Sequence, residues 1–531
     1  MKRQMVLALA VLLAVFGAAR GECRGARERK AVSQELVIGE QFDLGSFDPL
    51  KGMLDDTQIL VYNGLVEIDA DFRQTPGLAE SWEMSADGRV WTFRLRRGVR
   101  FHDGTLWNAG AARVNLEGRL NGYPGTGDVE RYETPDDYTL VFHLSKPNPV
   151  LTSDLSRTMM SMVSPAAINR DGSLKAAVGT GPYKLASWTP DVEYVFDAHN
   201  DFWGGKPNLQ KITFKVITDP QARALALETG EIDMMSGYQS LGAVKRLRND
   251  RRFQLIMKTQ NTSAALFYQT RRPPLDRLAV RKAIGMAIDF NTLIGSLLPG
   301  LASPPQGFFS PAYGELNNPA VTMNAFDLEG AKALLAADGW LPGPDGIRRK
   351  DGTTLMFALT YRANNSEDAL LAPAIRDYLR AAGMDVRLNA VEGGAFGDLE
   401  DAKDYDVILS GQSFIPTDDT TFNYANGYWH SDSYYKIYTS PELDALIDEL
   451  RGTLDRTKRV ELNRRIQGLI MDNCPTQIVY HRNSIRLAKA NVSNFAISSG
   501  CWHINRLLKD TVIGDTVIGD TVIVPAIGTA R

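Results

Sequence analysis

The chain has 531 residues, 44% hydrophobic and 23% charged, which supplies core for two or three packed units rather than one. Its formal net charge of −4 leaves no basic stripe, which excludes nucleic acid as an expected partner. The spacing of Cys23, Cys474 and Cys501 matches no zinc motif, and in an oxidising compartment Cys474 and Cys501 could form one disulfide.

At the N-terminus, Lys2 and Arg3 precede an apolar run from Met5 to Phe16, followed by Gly17, Ala18 and Ala19. That order is the pattern of a secretory signal, assigned to residues 1–22, and the run is too short to anchor in a bilayer. Cys23 follows R-G-E, a carboxylate where lipid attachment needs a small residue, so a soluble periplasmic protein is expected. No later stretch approaches the roughly 20 apolar residues of a membrane span.

Further along, W-E-M-S-A-D-G-R-V-W-T-F-R-L sets Asp87-Gly88 between alternating patterns, with Trp91, Phe93 and Leu95 on one face, and predicts a hairpin. His102 precedes the turn dipeptide Asp103-Gly104 and reads as a surface or turn histidine. G-T-G-P-Y from Gly179 lacks the third glycine of a dinucleotide loop and reads as a turn. Val280, Ile284, Ala287 and Ile288 fall at helical spacing. Ser440-Pro441 opens a helix carrying Leu443, Leu446, Ile447 and Leu450, and Asp455 caps the next, with Leu462, Ile466 and Ile470. The run T-Q-I-V-Y that follows reads as a strand returning to a sheet. Strands and helices mix throughout, predicting an α/β fold with no repeat of solenoid length. From Asp510, D-T-V-I-G recurs, which predicts a poorly ordered tail over 510–531.

Catalytic constellations are missing from the sequence: it contains no H-E-x-x-H, no G-x-S-x-G elbow and no Walker loop. An enzyme or chaperone-like use of the fold would need a nucleophile and base that the motifs do not supply.

Seven segments in order carry a family resemblance: L-V-Y-N-G-L-V-E, the run from L-A-E-S-W to F-H-D-G-T, G-T-G-P-Y-K-L, N-D-F-W-G-G-K-P, L-A-L-E-T-G-E-I-D, A-V-R-K-A-I-G-M-A-I-D and S-P-E-L-D-A-L-I-D. Together they resemble the periplasmic solute-binding proteins of dipeptide, oligopeptide and nickel ABC importers, family 5. The resemblance implies an α/β periplasmic binding protein fold of type II, cluster C, with two hinged lobes and an extra subdomain. Lobe I is expected from 31–70, 179–268 and 485–509, the subdomain from 71–178 and lobe II from 269–484. It also implies a monomeric receptor, not an enzyme and without a prosthetic group, that closes over a small solute and docks on an inner-membrane permease.

The ligand follows from two matches and one mismatch with that family. Peptide binders resemble one another in placing an Asp ahead of a D-P-x-x-F-like motif, where it pairs with the peptide amine. Aligned on Asp418 and Phe422, this chain has Ile415 there, and a branched alkyl cannot neutralise an ammonium. Asp418 or Asp419 could substitute after a small loop shift, so a peptide or other small organic solute stays as the alternative. Nickel binders resemble this chain in lacking the Asp and carrying a His about nine residues beyond the motif Phe, imidazole being a suitable donor for Ni²⁺. His430 lies eight beyond Phe422. The resemblance therefore implies a transported nickel chelate, with His430 as the protein's metal ligand. Phe414, Tyr428, Trp429, Tyr434 and Tyr435 would wall it, and Asp418 would border it. An anionic chelate needs guanidinium forks. Arg157 falls within one place of a family arginine, while the second, expected near 123–128, is replaced by Y-P-G-T-G-D-V, leaving Arg119 or Arg131 to compensate. Without the resemblance, His430 reads as a hydrogen-bonded loop residue, Trp429 as core and Arg157 as a solvated charge.

Overall fold

The computed structural model describes residues 33–51, 55–71, 73–123, 126–237, 239–322, 325–413, 420–421, 423–433, 437–495, 497 and 505–514. The signal over 1–22, Cys23, Phe414, Ile415, Asp418, Asp419, Phe422, Tyr434, Tyr435, Cys501 and residues 515–531 lie outside them. No helix among the described residues is long and apolar enough to cross a membrane.

The hairpin around Asp87-Gly88 forms as its alternation dictates. Strands Ala79–Met84 and Val90–Leu95 pair antiparallel, and Gly88 takes the positive φ of +70° that the turn requires. Trp91, Phe93 and Leu95 are buried, because alternate residues share a face. Thr139–Leu144 and Val129–Asp136 complete a four-stranded sheet, on whose face Phe93 meets Phe142 at 5.1 Å between ring centroids.

Among the described residues the principal sheet has 11 strands. Along its path lie Asp385–Val391, Met356–Arg362 and Val407–Ser413, then the two long strands Phe253–Tyr268 and Thr476–Lys489. Beyond them come Met234–Met235, Glu35–Glu40, Lys211–Val216, Glu193–Ala198 and Tyr183–Thr189. The two long strands are shared by both halves. The first pairs with Val407–Ser413 through 262–268, and the second with Met234–Met235 through Leu487 and Ala488. Between them the register holds from Phe253↔Lys489 to Thr259↔Asn483 and resumes at Ser263↔His481. Gln260, Asn261 and Thr262 therefore stand against Arg482 alone, a wide bulge where the ladder is broken and the sheet can bend.

The helices follow their caps. Ser440 Oγ accepts the Leu443 N–H at 3.2 Å and starts Pro441–Gly452, whose Leu443, Leu446, Ile447 and Leu450 are buried. Asp455 accepts the Lys458 N–H at 2.7 Å and starts Arg456–Asn473, burying Leu462, Ile466 and Ile470. Leu278–Met286 buries Val280 and Ile284, with Ala287 and Ile288 following it into the core.

Three sequence expectations change. Cys474 is a free, buried thiol at the end of Arg456–Asn473 rather than half of a bridge, and burial pushes it up to about 11. The first D-T-V-I-G unit is part of the fold: Val512–Ile513 pairs with Val492–Ser493, and Gln34 donates to the Ile513 carbonyl at 2.8 Å. His102 does sit at a turn, yet its ring is largely enclosed, with Nε2 3.0 Å from the Gly181 carbonyl, and burial pushes it down to about 3. The G-T-G-P-Y turn itself is as expected, and a Cβ at Gly179 would stand 2.0 Å from the Val61 carbonyl.

Candidate functional site

In open α/β sheets a ligand sits beyond the carboxyl ends of the parallel strands. Here both halves aim those ends at the crossing, the stretch around Ser263 and Arg482 where the two long strands pass from one half of the sheet to the other. Glu35–Glu40 runs parallel to Lys211–Val216 and Met234–Met235, and the last of these opposes Leu487 as it heads toward Arg482. Met356–Arg362 runs parallel to Asp385–Val391 and Val407–Ser413, and Ser413 ends opposite Thr262. The crossing thus lies at the carboxyl ends of both sets of parallel strands.

On the first side, Glu40 is buried and its Oε1 accepts the Gln41 N–H at 2.7 Å. Arg223, wholly buried, donates to the Ile217 and Thr218 carbonyls. Gly237 has φ +71° and lets its loop lie against Gln41, whose Cβ would stand 2.7 Å from any added Cβ. Arg119 is held by an ion pair with Asp48, its side chain 1% exposed, with Nε and Nη1 lacking hydrogen-bond partners among the described residues. Arg157 is partly buried between Leu151–Leu155 and the turn Thr158–Met160. Arg131 pairs with Glu133 at the surface.

On the second side, Asn365 caps Ser366–Ala381, placing Glu367 and Asp368 in its first turn. Glu367 Oε2 accepts from Tyr480 OH at 2.6 Å and from Arg482 Nη2 at 2.7 Å. Asp368 is buried, and that burial, with the neighbouring Glu367 charge, pushes its carboxyl up to about 7. At the crossing itself, His481 lies 2.8 Å from Ser263 Oγ.

The loop after Val407–Ser413 returns to Arg456–Asn473: Tyr424 OH donates to Asn463 at 2.8 Å, and Arg459 to Thr421 at 2.7 Å. Tyr428 stacks on Phe267 at 6.4 Å, and Trp429, wholly buried, packs on Phe308 at 5.7 Å, so both wall a core shared with Leu443 and Ile466. His430 follows with its side chain 7% exposed. Nδ1 accepts the Asp432 N–H at 3.0 Å, which puts the proton of the neutral ring on Nε2, 3.5 Å from Asp448 Oδ1. A bond from Nε2 to a metal needs that proton to leave and Nδ1 to be protonated in place of accepting from Asp432.

Tyr428 and Trp429 therefore share one packed core, with His430 next to them in the chain, whereas Arg119 and Arg157 neighbour in sequence residues of another, built from Leu116, Leu120, Leu155 and Met160 among others. Glu367, Asp368, His481 and Arg482 escaped sequence reasoning. Their signal is a polar run, Y-H-R-N-S, inside a buried strand, matched by Q-N-T-S in the strand that pairs with it.

The family model of bacterial extracellular solute-binding proteins, family 5 Middle, matches residues 73–434. The nickel-binding periplasmic protein of Escherichia coli is 28% identical over 457 residues, covering 82% of this chain and 86% of its own. The dipeptide-binding protein of the same organism is 25% identical over 481 residues, covering 83% and 88%. The crystal structure of NikA from Brucella suis in complex with Fe(III)-EDTA superposes with a TM-score of 0.83 at 27% identity, over 90% of this chain and 99% of that one. The architecture is the two-lobed α/β arrangement of the periplasmic binding proteins. With two thirds of its length matched by the family model, the chain belongs to the bacterial extracellular solute-binding proteins of family 5.

Proposed function

We propose that the protein captures nickel, carried as a chelate with a small organic molecule, and delivers it from the periplasm to an inner-membrane ABC permease. One imidazole supplies one bond, so the metal has to bring the rest of its coordination shell with it. The observation that carries the reading is His430: a buried imidazole, just after the helical turn Asn423–Tyr428, whose Nε2 has no hydrogen-bond partner among the described residues and only the Asp448 carboxylate at 3.5 Å. Similarity to a nickel-binding periplasmic protein supports it. In this reading lobe I, from 31–70, 179–268 and 485–509, and the 71–178 subdomain close on lobe II, 269–484, and bring Arg119 and Arg157 across the gap toward an anionic chelate. Tyr428 and Trp429 hold the His430 loop, while Phe414, Asp418, Tyr434 and Tyr435 complete the wall. Export by the 1–22 signal would place the receptor where such a chelate is met.

A peptide or other small organic solute is the second reading, favoured by Asp368, a buried acidic group at the crossing that an ammonium would draw into its charged form. Calorimetric titration with Ni²⁺ plus free histidine, with Ni²⁺ alone and with a dipeptide mixture separates the two. The nickel reading expects heat only from the first. It also expects His430→Ala to weaken that binding by about tenfold or more, the loss of roughly one metal–ligand interaction. Equal affinity in the variant removes His430 from the site.

A further inference from the structure

The crossing contains a buried histidine that the proposed function does not use, His481. His481 is wholly buried, one residue before Arg482, the residue that stands alone against the bulge. Its Nδ1 is 2.8 Å from Ser263 Oγ, and its Nε2 is 3.3 Å from the Gln306 amide nitrogen. An amide N–H can only donate, so Nε2 accepts, and the proton of the neutral ring sits on Nδ1 and is donated to the hydroxyl. Three segments are tied by this ring: the first long strand through Ser263, the second through His481 itself, and the stretch after Ala302–Ser303 through Gln306.

A second proton has only Nε2 to occupy, where it would face the Gln306 N–H. The surroundings offer no counter-charge among the described residues. Tyr480 and Arg482 point to the opposite face of the strand, where they hold Glu367 beside Asp368. From the first long strand come Ser263 and the bulge residues Gln260, Asn261 and Thr262, all uncharged. Gln412, paired with Ser263, and Ser303, Gln306 and Asn483 are uncharged too. The helix Phe290–Leu297, packed on the same strand, has no charged residue. Burial accordingly pushes His481 down to about 4.

We propose that His481 is a proton-operated strut of the interlobe joint. Neutral, it holds the 303–306 segment and the edge of the bulge to the second long strand. Protonated, it must give up the Gln306 bond, and the joint on which the lobes close loosens, so acidification releases whatever the closed lobes hold.

The test uses ligand-free, full-length protein with ¹⁵N-labelled histidine, followed by NMR from about pH 7.5 to about pH 3.5, alongside hydrogen exchange by mass spectrometry with intrinsic rates corrected. One ring, identified by its loss in His481→Gln, is expected as the Nδ1–H tautomer with a midpoint well below the ordinary histidine value of about 6.5. Protection of the peptides spanning 303–309 is expected to fall about tenfold at that midpoint, roughly the loss of one buried hydrogen bond. Ser263→Ala keeps the ring but removes an acceptor that favours the cation, so the midpoint should move to lower pH. An Nε2–H tautomer, a midpoint near about 6.5, an unmoved midpoint in Ser263→Ala, or the same pH-dependent loss of protection in His481→Gln overturns the proposal.

Discussion

Arg119 shows how a residue's chemistry depends on a partner far along the chain. From sequence it is a spare guanidinium for an anionic ligand, but the fold gives it Asp48, 71 residues away, in a pair whose carboxylate is 9% exposed. Removing one member of a buried pair leaves the other charged and unsolvated. Asp48→Ala is therefore expected to destabilise the protein by about 3–5 kcal/mol, read from the urea midpoint, while Asp48→Ala with Arg119→Met should cost less than Asp48→Ala alone. Tyr428 and Trp429 show the same limit. Their aromatic character was legible, but whether a ring faces core or ligand depends on Phe267 and Phe308, which the loop meets only after folding. His430 was legible as a candidate from its place after Phe422, whereas its bond from Asp432 and its approach to Asp448 were not.

Among the elements, those with local signatures were legible. Caps such as Ser440 and Asp455 act within one turn, and the Asp87-Gly88 hairpin needs only alternation and a residue tolerant of positive φ. Asp455→Ala removes the acceptor for the Lys458 N–H and is expected to lower stability by about 1 kcal/mol, measured by thermal or chemical denaturation. The two long strands, of 16 and 14 residues, were only partly legible. T-Q-I-V-Y announces a buried strand, but Y-H-R-N-S then breaks the apolar pattern, since those positions are covered by other polar groups instead of a hydrophobic layer. A propensity argument stops where the strand crosses between lobes, although the strand itself continues.

For the whole molecule, buried titrating groups set the response to pH. His102, His481 and His199 are held below the ordinary histidine value by burial, the first to about 3 and the second to about 4. The unfolded chain therefore binds protons that the native state does not, and this stabilisation, complete above about pH 6.5, is lost as pH falls toward about 4. Asp368 works in the opposite sense: raised to about 7, it contributes stability below the unfolded carboxylate value of about 3.9 that is lost as pH rises toward 7. Three imidazoles against one carboxyl predict a melting temperature that climbs from pH 4 to about 6.5. Asp368→Asn should steepen that climb and raise the melting temperature at about pH 7.5, and a scan of both proteins across the range checks the sign. By itself the sequence determined the local elements, because caps, turns and amphipathic periods act over a few residues, and seven segments in order carried the resemblance that implied the family and the two-lobed fold. Only the tertiary structure decided which polar groups meet at the crossing. Ser263 and His481 are 218 residues apart and Arg482 and Glu367 are 115 apart, so no local pattern could pair them before the sheet brought its strands together.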